Sequence, residues 1–337
     1  MTNLHRLALL GLALAGANLA LPAADPPALD DNLKNISKYL GQWAYKWKNE
    51  TNGQFMKGEF LLEPGLGGKI ILYRERMLDG DKTALSWIGF TYWHPRMKSL
   101  LFWNCASDGG YASGLQTKRG DDFTFYWRGF DAKGELAAGL GTDEWKEDDT
   151  FVTQGTHTVT NGIPKPDSQK TIMKRLQNKG ISVSVPAPLQ EHLKPMEKYL
   201  GKWNVEWAEK GNTGKAVYIA QAEAGGAAIY GALYSSLDAV NEPAWLASVT
   251  YWRPEIQSLA SITFLGDGGG AEALVAKTGE EQLEQTVGYD PQGKLTTSVT
   301  RTQWSGKDTF TVQSLQLVVG GEVQPDGTKY TLTRIKE

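Results

Sequence analysis

Four histidines, one cysteine and a few acidic pairs are the residues of this 337-residue chain whose types could do chemistry. His5 lies in an apolar amino-terminal stretch, which leaves His94, His157 and His192. Metal ligation needs imidazole, thiolate or carboxylate groups at short spacing. None of the three has such a neighbour and Cys105 has no second thiol, so no metal is expected. Nucleophilic catalysis needs a hydroxyl or thiol presented beside a base, and the sequence has no Gly-x-Ser-x-Gly turn to present one. Asp121-Asp122 and Asp148-Asp149 fall in turn-like stretches, where solvated carboxylates are the simplest reading. The runs GLGGK from Gly65 and GDGGG from Gly266 would cradle a phosphate only ahead of a helix. Strand-like sequence follows both, so they read as hairpins.

Rings are the more informative residues. Trp87, Trp103 and Trp127 stand on strand-like segments, with Tyr126 beside Trp127 on the opposite face. They become interpretable once the chain is slid against itself by 159 or 160 positions. YLGQWAYKW (39–47) then meets YLGKWNVEW (199–207), TYWHP from Thr91 meets TYWRP from Thr250, and GFDAKG from Gly129 meets GYDPQG from Gly288. KTIMKRL from Lys170 meets KYTLTRI from Lys329. In this alignment Trp87, Trp103 and Trp127 face Leu246, Ile262 and Thr286, and no histidine recurs. Two copies of one domain are expected, at 32–178 and 191–337, joined by a stiff linker at 179–190 in which GISVSVPAPLQ carries no charge and holds Pro186 and Pro188.

Ahead of both, residues 1–24 carry Arg6, an apolar run from Leu7 and small residues at Ala23-Ala24. This is the layout of a secretory signal peptide, so a periplasmic or secreted protein without stable membrane insertion is expected. A net charge of −3 with no basic block argues against nucleic acid as a partner. With a single cysteine the fold must rest on its cores.

High glycine, 38 residues, and repeated turn pairs such as Asp79-Gly80 and Asn161-Gly162 give each copy the texture of short strands. Leu33, Ile36 and Leu40, repeated as Leu193, Met196 and Leu200, predict a short helix ending at Gly41 or Gly201. The period then becomes two, with Trp43, Tyr45 and Trp47 sharing one strand face. A meander of eight to ten antiparallel strands hides its edges most simply by closing. The expected fold is all-β, with two tandem up-and-down barrels each opened by a short helix. A two-sheet sandwich is the alternative.

These residues resemble the lipocalin and wider calycin superfamily, in which a Gly-x-Trp opens the first strand and an Arg of the last strand closes the barrel base over that Trp. The resemblance implies Gly41, Trp43 and Arg175 in the first copy, and Gly201, Trp203 and Arg334 in the second, as structural closure. Each copy is also similar to an uncharacterised family of bacterial single-barrel domains with an opening Leu-x-Gly-x-Trp, a Gly-Gly hairpin and a Gly-Tyr-Asp turn. Here the opening phrase is one residue shorter, and Gly129 begins GFD in place of GYD. No cofactor is expected. The haem-binding branch of the calycins implies one alternative, an axial ligand at His157.

Three functional readings follow. The preferred one is a non-enzymatic barrel that carries a small apolar or amphipathic molecule, with Trp87, Trp103, Tyr126, Trp127 and His157 as candidate lining residues and a roomier interior in the second copy, around AEAGGAAIYGALY. The second is a polysaccharide-binding module using exposed Trp. The third is an enzyme with a site at one barrel mouth involving His157, Arg128 or Asp108.

Overall fold

A computed structural model of the chain describes residues 28–48, 53, 55–177, 183, 187–209, 212–278 and 280–336. The expected signal segment and most of 179–190 lie outside the described residues. Among those described, no helix is long and apolar enough to cross a membrane.

The first half forms β1 (Gly41–Lys48), β2 (Phe55–Gly65), β3 (Ile70–Asp79), β4 (Lys82–His94), β5 (Ser99–Ala106) and β6 (Tyr111–Arg119). It continues through β7 (Asp122–Phe130), β8 (Leu136–Glu147), β9 (Thr150–Thr160), β10 (Ile163–Pro164) and β11 (Thr171–Arg175). Each strand from β1 to β9 pairs antiparallel with the next where both ends are in sequence order, β9 pairs with β11, and β11 returns to β1. Ten strands therefore close into a barrel, and β10 is a short hairpin arm on β9.

The second half repeats the plan. It runs β12 (Gly201–Glu209), β13 (Asn212–Glu223), β14 (Ala228–Tyr234), β15 (Leu246–Arg253), β16 (Ser258–Leu265) and β17 (Gly270–Thr278). β18 (Glu281–Tyr289), β19 (Leu295–Trp304), β20 (Thr309–Val319), the arm β21 (Glu322–Val323) and β22 (Tyr330–Arg334) complete the circuit. The fold is all-β, and closure rather than a sandwich removes the sheet edges.

The opening helices are 3-10 helices, Lys34–Tyr39 and Glu191–Tyr199. With three residues per turn the buried stripe is Leu33, Ile36 and Tyr39, and then Leu193, Met196 and Tyr199. The seven-residue step to Leu40 and Leu200 belongs to the α-helical period, and both of those leucines are only partly buried. Beneath each helix an indole seals the barrel. Trp43 donates its ring N–H to the Tyr39 carbonyl (2.8 Å), and Trp203 does the same to Tyr199 (3.0 Å). The Arg175 guanidinium lies 4.3 Å from the Trp43 ring centre, and that of Arg334 lies 4.2 Å from Trp203. Each Arg also donates to two helix-end carbonyls, those of Lys38 and Leu40 or of Lys198 and Leu200. This satisfies acceptors that a helix terminus leaves open.

The barrels pack wall to wall. Outward residues of β3 to β5, among them Ile88, Phe90, Tyr92, Trp103 and Cys105, form one core with Ala228, Ala247, Val249, Tyr251, Ile262 and Phe264 of β14 to β16. The phrases that repeat in the sequence interlock here. The turn after TYWHP approaches Gly293 of GYDPQG, and the turn after TYWRP approaches Gly134 of GFDAKG. His94 and Tyr289, one from each phrase, pack ring on ring at 4.1 Å. Gly134 (φ +79°) and Gly293 (φ +78°) are positive-φ positions where an added Cβ would sit 3.1 Å and 3.0 Å from facing backbone. Alanine at either is expected to cost about 1–3 kcal/mol, from left-handed strain plus a pushed-apart wall. Urea unfolding of Gly134→Ala and Gly293→Ala against a Gly80→Ala control, where space is open, would read the wall contribution separately from the φ penalty.

Candidate ligand-binding site

Period-two alternation decides what enters the first barrel. On β7, Phe123, Phe125 and Trp127 point inward; on β3, Ile71, Tyr73 and Glu75 do; on β5, Phe102 and Asn104 do. Together with Ile36 and Tyr39 of the helix they surround a cavity of about 440 Å³. Phe102 and Phe125 meet edge to face with ring centres 6.1 Å apart. This size and aromatic lining suit a small-molecule site, which needs only a few placed polar groups.

Glu75, Asn104, Gln116 and Asp143 supply carboxyl and amide groups, and Thr91 and Thr153 add hydroxyls. Glu75 accepts a hydrogen bond from the Tyr45 hydroxyl, and burial pushes its carboxyl up to about 7 against that bond. Asp143 is also pushed up to about 7 by burial, opposed by the Thr153 and Tyr39 hydroxyls and reinforced by the charge of Asp122. The Tyr39 hydroxyl faces Asp143 without reaching full hydrogen-bond geometry. The buried Gln116 carbonyl oxygen meets no protein donor. Below about pH 7 the lumen thus presents protonated acids that can donate, plus a free amide acceptor.

The residues singled out from sequence separate. Trp127 lines the lumen. Trp103 is buried in the wall between the barrels, 4.7 Å from Tyr251, and borders the lumen from behind. Trp87 stands half-buried on β4 opposite Glu75, outside the lining set, and Tyr126 is 51% exposed on the outer surface. His157 is exposed at a β-bulge with φ +51°, its amide donating to Asp167 (3.1 Å). Gln316 repeats that geometry in the second half, with φ +52° and an amide bond to Asp326 (3.2 Å). The bulge thus needs the backbone conformation, not an imidazole. No described histidine lines the aromatic lumen, so His157 is not placed to ligate a haem there. Among the described residues no His, Cys, Asp and Glu cluster is placed to hold a metal ion. Nor do His157, Arg128 and Asp108 bond to one another; Asp108 caps the Gly110 amide (2.9 Å). Burial between the barrels pushes the Cys105 thiol far up, which disfavours the reactive thiolate.

The first barrel holds an aromatic cavity of about 440 Å³ and the second a cavity of about 380 Å³, and the small-residue run does not line the latter. Ala224, Ala227, Ala228 and Ala232 of the small-residue run are buried, and Ala224 and Ala228 lie in the core between the barrels, where small side chains let two sheets approach. Sequence reasoning missed Glu75 and Asp143. Their signal was available: Glu75 sits two residues from Tyr73 and from Met77, on the face those apolar residues mark as inward.

No protein-family model matches the chain, and no curated protein matches it either. Among solved structures it is similar to a protein with unknown function from the DUF3598 family of Nostoc punctiforme, at 11% identity over 91% of this chain and 100% of that one. The TM-score is 0.22, too low to carry an argument about this chain.

Proposed function

We propose that this is an exported carrier whose first barrel binds a small, ring-bearing apolar or amphipathic molecule, without catalysing a reaction on it. The observation that carries the reading is the aromatic cavity of about 440 Å³ in which Glu75, Asp143 and Gln116 offer hydrogen bonds to one polar end of a ligand. The lipocalin-like opening and closing residues point the same way, and the amino-terminal pattern around Arg6 supports export.

N-phenyl-1-naphthylamine, a neutral two-ring fluorophore, should bind the parent protein with a blue-shifted emission. Trp127→Ala should weaken it by about tenfold, equivalent to about 1.4 kcal/mol of ring contact. Affinity for ligands that accept a hydrogen bond should fall above about pH 7, as Glu75 and Asp143 ionise and cease to donate. A parent protein that neither binds the fluorophore nor retains any small molecule in native mass spectrometry after purification from its own host would refute carriage.

A further inference from the structure

The second barrel builds an interior of opposite character. Where β7 turns Phe123, Phe125 and Trp127 inward, β18 turns Gln282, Glu284 and Thr286 inward. Thr286 faces Ser298 on β19, Glu284 faces Thr300, and β16 adds Ser261 and Thr263. All are buried, Glu284 to 2% exposure. The side-chain oxygens of Ser261, Thr263, Thr286 and Thr300, with Oε2 of Glu284, meet no partner within the chain. A buried oxygen without a partner is costly, and five in one barrel call for something that satisfies them. The other carboxylate oxygen is held by Gln282 (3.0 Å), which in turn accepts from the Tyr199 hydroxyl (3.1 Å), so the group is oriented from the helix end. Thr263, Thr286 and Ser298 form the inner wall of a cavity of about 380 Å³ that opens past Tyr289 and Lys294. Glu284, Ser261 and Thr300 lie one inward step below them on the same strands.

We infer that the second barrel holds a small, neutral, polyhydroxylated molecule of the sugar or polyol class in this cavity, against Thr263, Thr286 and Ser298, with Glu284, Ser261 and Thr300 directly beneath that wall. Hydroxyl groups of the ligand can each donate and accept, which matches a wall of Ser and Thr oxygens. The one basic side chain on the cavity, Lys294, is exposed, and the buried wall of Thr263, Thr286 and Ser298 offers an anion no positive charge. For a cation, the lining carboxylates are Asp267, Asp290 and the exposed Glu322, and burial pushes Glu284, beneath the cavity wall, toward the uncharged form. An apolar ligand would leave the oxygens unsatisfied. Tyr289 borders the cavity with its ring packed on His94, while Asp267 and Asp290 are spent capping their own turns at Gly269 and Gln292.

Titration calorimetry of the full chain with glucose, galactose, xylitol and myo-inositol tests this. At least one should bind one to one with a Kd below about 1 mM. Thr286→Val and Thr300→Val preserve shape while deleting the hydroxyl, so each should keep or raise the melting temperature and weaken that binding at least tenfold. Glu284→Gln should weaken it as well. Trp127→Ala, in the other barrel, should leave it unchanged, which separates this site from the carrier reading. No binding by any of the four compounds, full affinity in both valine variants, or a soaked crystal with only water among these hydroxyls would overturn the inference.

Discussion

Trp43→Ala is expected to cost about 3–5 kcal/mol of stability, the range for truncating a fully buried large ring. The indole has no solvent exposure and meets Phe151 at 4.9 Å, Trp145 at 5.8 Å and Phe60 at 6.1 Å between ring centres. Its removal also takes away the donor to the Tyr39 carbonyl and the surface on which Arg175 lies. The helix end and the last strand are therefore loosened together, and the remaining rings cannot collapse into the void without moving the helix. Trp203→Ala should behave alike, since Phe310 lies at 4.8 Å and Trp304 at 5.9 Å. Arg175→Lys is the informative milder change. It keeps the charge but loses the planar fork that reaches both carbonyls, so a loss of about 1–2 kcal/mol is expected. A urea midpoint that drops at constant slope would read these values. A Trp43→Ala loss under about 1 kcal/mol would mean that the floor is not a unit of stability.

That floor was legible because it recurs. A Gly-x-Trp phrase and a last-strand Arg at matched places in two halves, read with period-two alternation, lead to closed all-β barrels before any coordinate is known. What resisted was any property set by the third dimension. Trp103 and Trp127 look alike on their strands, yet one faces a neighbouring barrel and the other a cavity, because strand alternation separates two faces without saying what covers each. The Ala-rich run of the second half suggested empty space for the same reason: small residues mark either a void or a close approach, and here Ala224 and Ala228 mark the latter. The phrases TYWHP and GYDPQG were visible as repeats, but their cause, a reciprocal contact across the wall, needs both halves folded. The inward acids were hidden by habit more than by physics. Glu75 and Glu284 occupy positions that alternation assigns to the interior, where a charge is expected only with a reason.

Glu75 tests whether that reason is functional. At the equivalent pair of places the second barrel carries Val205 and Leu233, both fully buried in an apolar cluster, where the first has Tyr45 and Glu75. Burial raises the Glu75 carboxyl to about 7 from an ordinary value of 4.5. The folded state therefore holds this proton more tightly than the unfolded chain, and stability is greatest below about 4.5 and is lost as pH rises toward 7. The loss from this group is on the order of 3 kcal/mol, and Asp143 and Glu284 add losses of the same sign in a similar window. Replacing both members of the pair, as Tyr45→Phe with Glu75→Leu, removes the group without orphaning a partner. The double variant should then unfold at higher urea than the parent at pH 8 by about 1–2 kcal/mol, match it more closely at pH 4.5, and show a shallower pH slope. Glu75→Leu alone leaves the Tyr45 hydroxyl buried and unpaired, so it should gain less. If the first barrel carries a ligand with a polar end, the stabilised double variant should bind it at least about tenfold more weakly, since the deleted donor was the ligand's partner. Greater stability joined to undiminished affinity would make Glu75 a passive part of the wall and shift the polar contact to Asp143 and Gln116.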